Sequence, residues 1–240
     1  MGEERDSRGK IFLIPTTLGD NEPLEVLPIS IKRTIEDIDY YIVENEKTAR
    51  RFIKKISSKK SQSGLHLQLL NKYTELESIP TFLLPCLEGH NVGILSEAGC
   101  PGIADPGAEV VKLAHEKGIQ VVPMVGPSSI FLALMASGMN GQNFAFIGYL
   151  PIDGAERKKA IKLMEKTSIG QRQSQICIET PYRNNKLLTE ILKVLSADTK
   201  VCIACDITLS TEYIATKKVS DWRKTPLDLH KRPTIFIVQG

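Results

Sequence analysis

Two glycine- and proline-rich loops, each placed between an apolar run and a helix-like pattern, constrain this chain more than any other feature. The first is Ser96-Glu-Ala-Gly-Cys-Pro-Gly-Ile-Ala-Asp-Pro-Gly107, and the second is Pro123-Met-Val-Gly-Pro-Ser-Ser129. Glycine lets the backbone turn sharply and pass close to a ligand, because it has no side chain to obstruct either. The two loops therefore predict a cleft for a flat, polar small molecule.

Apolar runs and helix-like patterns alternate through the first half of the chain. Strands are predicted at 10–15, 39–44, 91–95 and 119–122, and helices at 29–35, 46–56, 105–117 and 128–137. This alternation predicts a mainly parallel sheet covered by helices, with a ligand at the carboxyl ends of the strands. We expect Asp105 to cap the helix at 105–117, with Pro106 in its first position and Gly118 at its end.

The pattern restarts after the glycine- and asparagine-rich segment 138–143. Strands are then predicted at 144–151, 175–179, 200–207 and 234–238, and helices at 156–166 and 182–196. The fold class is therefore α/β with two domains, an N-terminal domain over 1–143 and a C-terminal domain over 144–240. The cleft between them is the expected ligand site. Residues 65–90 stay ambiguous, although prolines punctuate what resembles a helical region.

The composition of the chain bears on its location. Residues 1–10 are charged rather than apolar, and no later apolar run is long enough to span a bilayer. The five cysteines show none of the spacings of a disulfide scaffold. We therefore expect a cytoplasmic protein without a membrane segment. The net charge of +3 identifies no partner by itself.

The segment Cys202-Ile-Ala-Cys205 has the spacing of a zinc or redox pair. It lies in an apolar run predicted to be a buried strand, where side chains three positions apart point to opposite faces. No second cysteine pair and no nearby histidine completes a set of ligands. We interpret these cysteines as structural and expect no metal site.

The loops lack the sequence fingerprints of two common nucleotide sites. Gly102 and Gly107 have the spacing of a phosphate-binding loop, but Ala108-Glu109 stands where Lys-Ser/Thr would reach the phosphates and Mg²⁺. No Gly-x-Gly-x-x-Gly follows the first strand, which disfavours a nicotinamide or flavin site. Simple turn chemistry stays open as an explanation of each loop taken alone.

Six motifs taken together resemble the tetrapyrrole (corrin/porphyrin) methylase family. They are Ile14-Pro-Thr-Thr-Leu-Gly-Asp20, Glu44-Asn-Glu-Lys47, Ser96 to Gly107, Val122 to Ser129, Phe146-Ile-Gly-Tyr-Leu-Pro151 and Glu179-Thr-Pro-Tyr-Arg183. Within the family, the chain is most similar to the branch that contains the small-subunit ribosomal RNA cytidine 2′-O-methyltransferase. The resemblance implies a methyltransferase that uses S-adenosylmethionine, bound between two α/β domains, usually in a homodimer.

The resemblance also implies which residues hold the cofactor. The first loop would line it, the second would approach its adenosine portion, and two residues of the second domain would complete the site. In that order, they are Ser96, Glu97, Gly99, Cys100, Pro101 and Ile103; Gly126, Ser128 and Ser129; and Ile178 and Thr234. A sulfonium cofactor needs no metal, and its adenine suits a mostly apolar slot with a few hydrogen bonds.

The chain departs from the ribosomal pattern at positions where a substrate would sit, among them Thr17, Asp20 and Glu97. A ribose hydroxyl is a poor nucleophile and profits from a positioned base. Glu44, at the end of the second strand, is the candidate base, with Lys47 or Arg183 placing an anionic substrate. The alternatives are that Glu44 caps the following helix and that Arg183 makes only a surface ion pair.

Seven basic residues and no acidic one lie between Lys47 and Lys60. Positions 47, 50, 51, 54 and 55 share one helical face, which favours contact with RNA phosphates, although solvated lysine faces are common. The leading hypothesis is methylation of a ribose 2′-hydroxyl in small-subunit ribosomal RNA. The alternatives are methylation of a tetrapyrrole or other small molecule, and a non-catalytic protein that only binds the cofactor.

Overall fold

The computed structural model describes residues 8–240, which fall into two compact units, Met1–Pro127 and Ser128–Gly240. Of the charged residues 1–10 on which the expected location partly depends, 1–7 lie outside the described residues. None of the helices in the described part is both long enough and apolar enough to cross a bilayer.

The first unit is built on a five-stranded sheet in which all paired strands are parallel. Its strands are β1 (Ile11–Ile14), β2 (Tyr40–Val43), β3 (His66–Leu69), β4 (Val92–Leu95) and β5 (Val121–Pro123). Its helices are α1 (Pro23–Val26), α2 (Ile29–Asp37), α3 (Glu46–Ile56), α4 (Leu84–Leu87) and α5 (Gly107–Glu116), with a 3₁₀ helix over Leu76–Leu83. The strand order is β3-β2-β4-β1-β5, which confirms the predicted parallel α/β sheet.

Helices cover both faces of this sheet, which explains why its central strands are apolar at successive positions. In β1, Ile11 packs into a cluster with α5 and the 3₁₀ helix, whereas Ile14 packs into a cluster with α2 and α3. In β2, Ile42 joins the first cluster and Tyr41 the second. In β4, which lies between β1 and β2, Gly93 leaves room for the side chains of Ile14 and Tyr41. A Cβ on Gly93 would come within 2.8 Å of the Ile14 side chain.

The second unit is built on a mixed five-stranded sheet with the order β6-β7-β10-β8-β9. Its strands are β6 (Phe144–Tyr149), β7 (Ser174–Ile178), β8 (Lys200–Cys205), β9 (Tyr213–Lys218) and β10 (Thr234–Gln239). Its helices are α6 (Ser129–Ser137), α7 (Gly154–Gln171), α8 (Asn184–Val194) and α9 (Val219–Trp222). Only β6 and β7 pair in parallel, and the other neighbours are antiparallel.

The second unit begins at Ser128, before the predicted start at residue 144, because it includes α6. This helix packs against β8, β9 and β10, and the Thr216 hydroxyl donates a 2.7 Å hydrogen bond to the Ser137 carbonyl. The sequence pattern places α6 after β5 in a regular strand-helix alternation. That alternation does not reveal which sheet the helix covers, because any apolar surface can accept it.

Two edge strands lie where the sequence predicts none. β3 lies within the ambiguous segment 65–90 and pairs with β2, and β9 pairs with β8 so that Tyr213 lies opposite Cys205. Each has a neighbour on one side only and remains partly exposed, so each carries polar residues at positions that a central strand would fill with apolar ones. Their sequences therefore lack the continuous apolar runs that identify β1, β4 and β8.

Candidate active site

Three loops leave the same edge of the first sheet, because β4, β1 and β5 are parallel neighbours. The Thr16 N–H donates a 3.0 Å hydrogen bond to the Gly99 carbonyl, which joins the loop after β1 to the loop after β4. The Cys100 thiol lies 3.4 Å from the Pro127 carbonyl, which joins the loop after β4 to the loop after β5. The predicted convergence of the glycine-bearing loops at the carboxyl edge is confirmed.

Glycine is required at two of these contacts. A Cβ on Gly126 would lie only 2.2 Å from the Cβ of Pro15, so the loop after β5 can lie against the end of β1 only without a side chain. Gly99 has a φ of +72°, and a Cβ there would come within 3.0 Å of the Pro127 carbonyl oxygen. The backbones of the three loops therefore approach one another more closely than any other residue type would permit.

The first loop is held in shape by its own short polar side chains. The buried Ser96 hydroxyl donates a 2.7 Å hydrogen bond to the Gly99 carbonyl, and the Asp105 carboxylate accepts from the N–H groups of Gly102 and Gly107. The prediction that Asp105 is the N-cap is wrong by one residue. Pro106 takes that position and α5 begins at Gly107, because Asp105 closes the preceding turn while reaching the first helical N–H.

The remaining residues expected in the first loop differ in accessibility. Pro101 is buried, Ile103 is 53% exposed, and Cys100 is partly buried, which raises the pKa of its thiol. Gly102 lies in open space, since nothing within 4 Å would meet a Cβ there. An exposed apolar side chain beside this unfilled space suits a ligand with an adenine ring, so the loop fits the cofactor expected from the resemblance.

Glu44 lies at the end of β2, close to two other carboxylates. Burial is the main cause that raises the pKa of Glu44, and the nearby charge of Asp105 raises it further. The Glu97 N–H donates to the Glu44 carboxylate and lowers its pKa in part, while the Glu97 charge acts in the opposite direction. The structure thus holds a half-buried carboxylate that keeps its proton to higher pH than an ordinary glutamate does.

The alternative interpretation of Glu44 as a helix cap is wrong. Asn45 caps α3, since its side-chain oxygen accepts from the N–H groups of Lys47 at 2.9 Å and Thr48 at 3.2 Å. Glu44 is therefore not needed to start the helix. The nearby Glu97 carboxylate accepts a 2.6 Å hydrogen bond from the Thr48 hydroxyl, which ties the first turn of α3 to the loop after β4.

A groove of about 1020 Å³, open to solvent, lies between α3 and the loops after β1 and β4. Lys55 borders it and bridges to Asp20 at 3.1 Å and Glu22 at 3.3 Å, while Thr48 and Glu97 border it at the other end of α3. Sequence reasoning missed Thr48 and Phe52 as lining residues of this groove. The signal that was available is their spacing of four on α3, which places both on one side of the helix.

The basic residues predicted on α3 differ in their partners. Arg50 pairs with Glu46, and Lys55 with Asp20 and Glu22. Beyond the helix, Lys60 pairs with Asp39. Within residues 8–240, the exposed side chains of Lys47, Arg51 and Lys54 make no ion pair. These three, at positions i, i+4 and i+7, form one line of exposed cations along the helix, and, after the hydrogen bond from Lys55, the charge of Arg51 helps to lower the pKa of Asp20.

The expected site residues of the second unit lie near its sheet. Ser128 precedes α6 and Ser129 begins it, directly after Pro127 in the chain. Ile178 ends β7 and Thr234 begins β10, and these antiparallel neighbours place both residues at the same edge. Arg183 donates two hydrogen bonds to one Glu179 oxygen, at 3.0 and 2.6 Å, and this ion pair joins a partly exposed guanidinium to a buried carboxylate rather than two surface groups.

The two cysteines of the possible metal pair both lie in β8 and both are buried. Burial raises the pKa of each thiol. Within the described residues, no group of three or more histidine, cysteine, aspartate or glutamate side chains is arranged to hold a metal ion.

Gly126→Ala tests whether the close approach of the loops forms the cofactor surface. The added Cβ must displace either Pro15 or the loop after β5, at a cost of roughly 1–3 kcal/mol typical of overpacking. We expect the affinity for S-adenosylmethionine, measured by calorimetry, to fall by about tenfold or more. Gly141→Ala is the matched control, since a Cβ there meets nothing within 4 Å. Equal affinities of the two variants would contradict the prediction.

Comparison with known proteins agrees with the geometry. The chain is 27% identical to "Ribosomal RNA small subunit methyltransferase I" of Escherichia coli O157:H7, over 98% of this chain and 79% of the relative. It is 30% identical to the protein of the same name from Thermotoga maritima, over 89% of this chain and 90% of the relative. The crystal structure of the methyltransferase CobJ has the same fold, with a TM-score of 0.65 and 14% identity, and covers 97% of this chain and 94% of CobJ.

The family model for Tetrapyrrole (Corrin/Porphyrin) Methylases matches residues 25–222. This range includes β2, the loop after β4, the loop after β5 and the whole of β7 and β8. Proteins of this family transfer a methyl group from S-adenosylmethionine. The chain is therefore a member of the tetrapyrrole methylase family and an S-adenosylmethionine-dependent methyltransferase.

Proposed function

We propose that this protein methylates a ribose 2′-hydroxyl of small-subunit ribosomal RNA. The observation that carries the proposal is the similarity to relatives named ribosomal RNA small subunit methyltransferase I, which extends over nearly the whole chain. When bound, S-adenosylmethionine supplies a methyl group on a sulfonium that any well-placed nucleophile can accept. The task of the chain is then to orient the acceptor oxygen and to remove its proton.

The proposed cofactor site is made of the eleven residues expected from the resemblance. In the first unit, the support is the contact among the three loops and the unfilled space where a Cβ on Gly102 would lie. In the second unit, the support is the shared edge position of Ile178 and Thr234 and the place of Ser128 and Ser129 at the end of the glycine- and proline-rich segment Pro123–Ser129.

The acceptor is tested by incubating the purified protein with S-adenosylmethionine labelled in its methyl group. Undermethylated small-subunit RNA and a tetrapyrrole-containing small-molecule extract are offered in separate reactions. We expect the label to enter RNA and to be recovered as a 2′-O-methylated nucleoside after digestion. Label in the small-molecule reaction alone would instead favour tetrapyrrole or other small-molecule methylation and would contradict the RNA assignment.

Glu44 is the proposed general base, and Lys47 and Arg183 are proposed to place the anionic substrate. The support for Glu44 is its raised pKa, its position at the carboxyl end of β2 and its freedom from capping α3. The support for Lys47 is its exposed side chain in the first turn of α3, which makes no ion pair within residues 8–240. Arg183 has the weaker support, because its guanidinium is already bound to Glu179.

Glu44→Gln separates a catalytic role from a structural one. The folded state raises the pKa of Glu44, so ionising it destabilises the fold as the pH rises through the range between its unfolded and folded pKa values. We therefore expect the variant to unfold at the same or a higher temperature than the wild type at neutral pH. Its methyl transfer should fall by about 10²-fold or more, because a positioned base typically contributes that much.

The pH profile is the second readout of this variant. In the wild type, the rate should decline as the pH falls through a value above the ordinary glutamate pKa, because the base becomes protonated. In Glu44→Gln, this acidic limb should disappear. Full activity of the variant with an unchanged acidic limb would remove Glu44 from the mechanism.

RNA contact by α3 is supported by its three unpaired cations. Lys47, Arg51 and Lys54 can release counterions from the RNA backbone, whereas Arg50 and Lys55 are already paired with carboxylates. Phosphate contacts of this kind supply affinity without reading sequence. The line of cations on α3 would thus hold the RNA while other residues select the nucleotide.

The salt dependence of RNA binding tests this line of cations. With Lys47, Arg51 and Lys54 all changed to Gln, the slope of log affinity against log salt concentration should fall by roughly 2–3, about one per lost cation. Lys112→Gln, an exposed lysine on α5, is the single-site control and should leave the slope nearly unchanged. An unchanged slope in the triple variant would show that the RNA phosphates do not contact these three cations of α3.

A homodimer in the cytoplasm completes the proposal. The support for a dimer is the exposed apolar surface of the second unit, where Phe131 is 55% and Met135 79% exposed on α6 and Tyr149 is 55% exposed on the edge strand β6. Large exposed apolar residues near an unpaired strand edge commonly mark association surfaces. The support for the cytoplasm is that all five cysteines are free, as expected in a reducing compartment.

A further inference from the structure

Tyr182 stands out on the second unit as an exposed aromatic side chain that lies against a lysine and a histidine. It is 70% exposed, although its neighbours Glu179 and Asn184 are buried. The Lys231 ammonium lies over its ring, 5.9 Å from the centroid. The His230 ring meets it at 76° with centroids 6.0 Å apart. None of these residues belongs to α3 or to the eleven residues of the proposed cofactor site.

Two chain segments bring this set together. The Lys231 N–H donates a 3.0 Å hydrogen bond to the Pro181 carbonyl, and the Asn184 amide donates a 2.6 Å hydrogen bond to the Arg232 carbonyl. These bonds tie the segment after β7 to the segment before β10, even though about fifty residues separate them in sequence. Tyr182 therefore lies on a segment that two hydrogen bonds hold in place.

The charges around the ring suit an anionic, aromatic partner. Lys231 is exposed, and Arg183 is still 37% exposed while it binds Glu179. The nearby Asp228 carboxylate accepts from the Asn185 amide and the His230 N–H, so its hydrogen-bonding capacity is partly used. A flat ring beside cations matches an unpaired nucleotide, in which a base stacks and the adjoining phosphate meets the cation.

We propose that Tyr182 is a stacking platform for an unpaired base of the RNA substrate, with Lys231 binding the adjoining phosphate. This inference rests on the proposed function for its substrate class, and it adds a contact in the second unit that selects single-stranded RNA. A duplex keeps its bases stacked on one another and cannot use the platform.

Tyr73 provides a matched comparison. It is 79% exposed, and the Lys72 ammonium lies 4.8 Å from its centroid. Lys72 and Tyr73 are adjacent in sequence, so their contact needs no tertiary structure. Tyr182 and Lys231 meet only because the fold joins two distant segments. The comparison therefore distinguishes a contact that the fold creates from a contact that follows from adjacency in sequence.

The test measures binding of a fluorescent single-stranded oligocytidine RNA, and of the same RNA in a duplex, by fluorescence anisotropy. Tyr182→Ala should weaken single-strand binding by about tenfold, as expected for the loss of one base-aromatic stack, and leave duplex binding unchanged. Tyr182→Phe keeps the ring and should bind within about twofold of the wild type. Tyr73→Ala should bind like the wild type. Thermal unfolding of each variant checks that the fold is retained.

Equal loss in Tyr182→Ala and Tyr182→Phe, or equal loss on single strand and duplex, would overturn the platform. Wild-type affinity of Tyr182→Ala would overturn it as well, even where the wild type transfers label into ribosomal RNA. Conversely, absence of label in RNA together with a selective single-strand loss in Tyr182→Ala would refute the proposed acceptor and leave the platform in place.

Discussion

The close approach of three backbones at the carboxyl edge of the first sheet is the constraint on which the rest of the site depends. Parallel pairing of β4, β1 and β5 brings their loops to one edge, and the contacts Thr16–Gly99 and Gly126–Pro15 bring them together there. A Cβ at Gly126 would lie 2.2 Å from the Cβ of Pro15, far inside van der Waals contact, so the arrangement depends on the absence of this one atom. Hydrogen bonds within and between the loops then hold this arrangement in place, since the Gly99 carbonyl accepts from both the Thr16 N–H and the Ser96 hydroxyl.

Next to these loops, the fold holds carboxylates in positions that are unfavourable for their charge. Burial and the proximity of Asp105 raise the pKa of Glu44, while the Glu97 N–H offsets part of the effect. A structural carboxylate would gain stability from a cationic partner or from capping a helix, and Glu44 has neither role in α3. Ionisable groups whose charged form is disfavoured by their surroundings are common in catalytic sites. In the same segment, Asn45 performs the capping, so the stability of α3 is independent of Glu44.

Much of the fold could be predicted from the sequence, because its central elements have strong local signals. The apolar runs of β1, β2 and β4 and the amphipathic patterns of α3 and α8 identify strands and helices without knowledge of their neighbours. β3 and β9 could not be predicted in the same way, since edge strands carry mixed sequences and form by pairing with a neighbour already in place. The sequence also could not predict that α6 belongs to the second unit, because an apolar helix can pack on either sheet.

For the site, the chain's own chemistry determined which loops would lie at the ligand edge and which residues could act as acids, bases and cations. Glycine and proline spacing carries that information, because backbone conformation is a local property. Only the tertiary structure decided that Asn45 rather than Glu44 caps α3, that Arg50 and Lys55 are paired while Arg51 is not, and that Lys231 lies over Tyr182. Those outcomes depend on which side chains become neighbours in space, and residue order does not encode such distances directly.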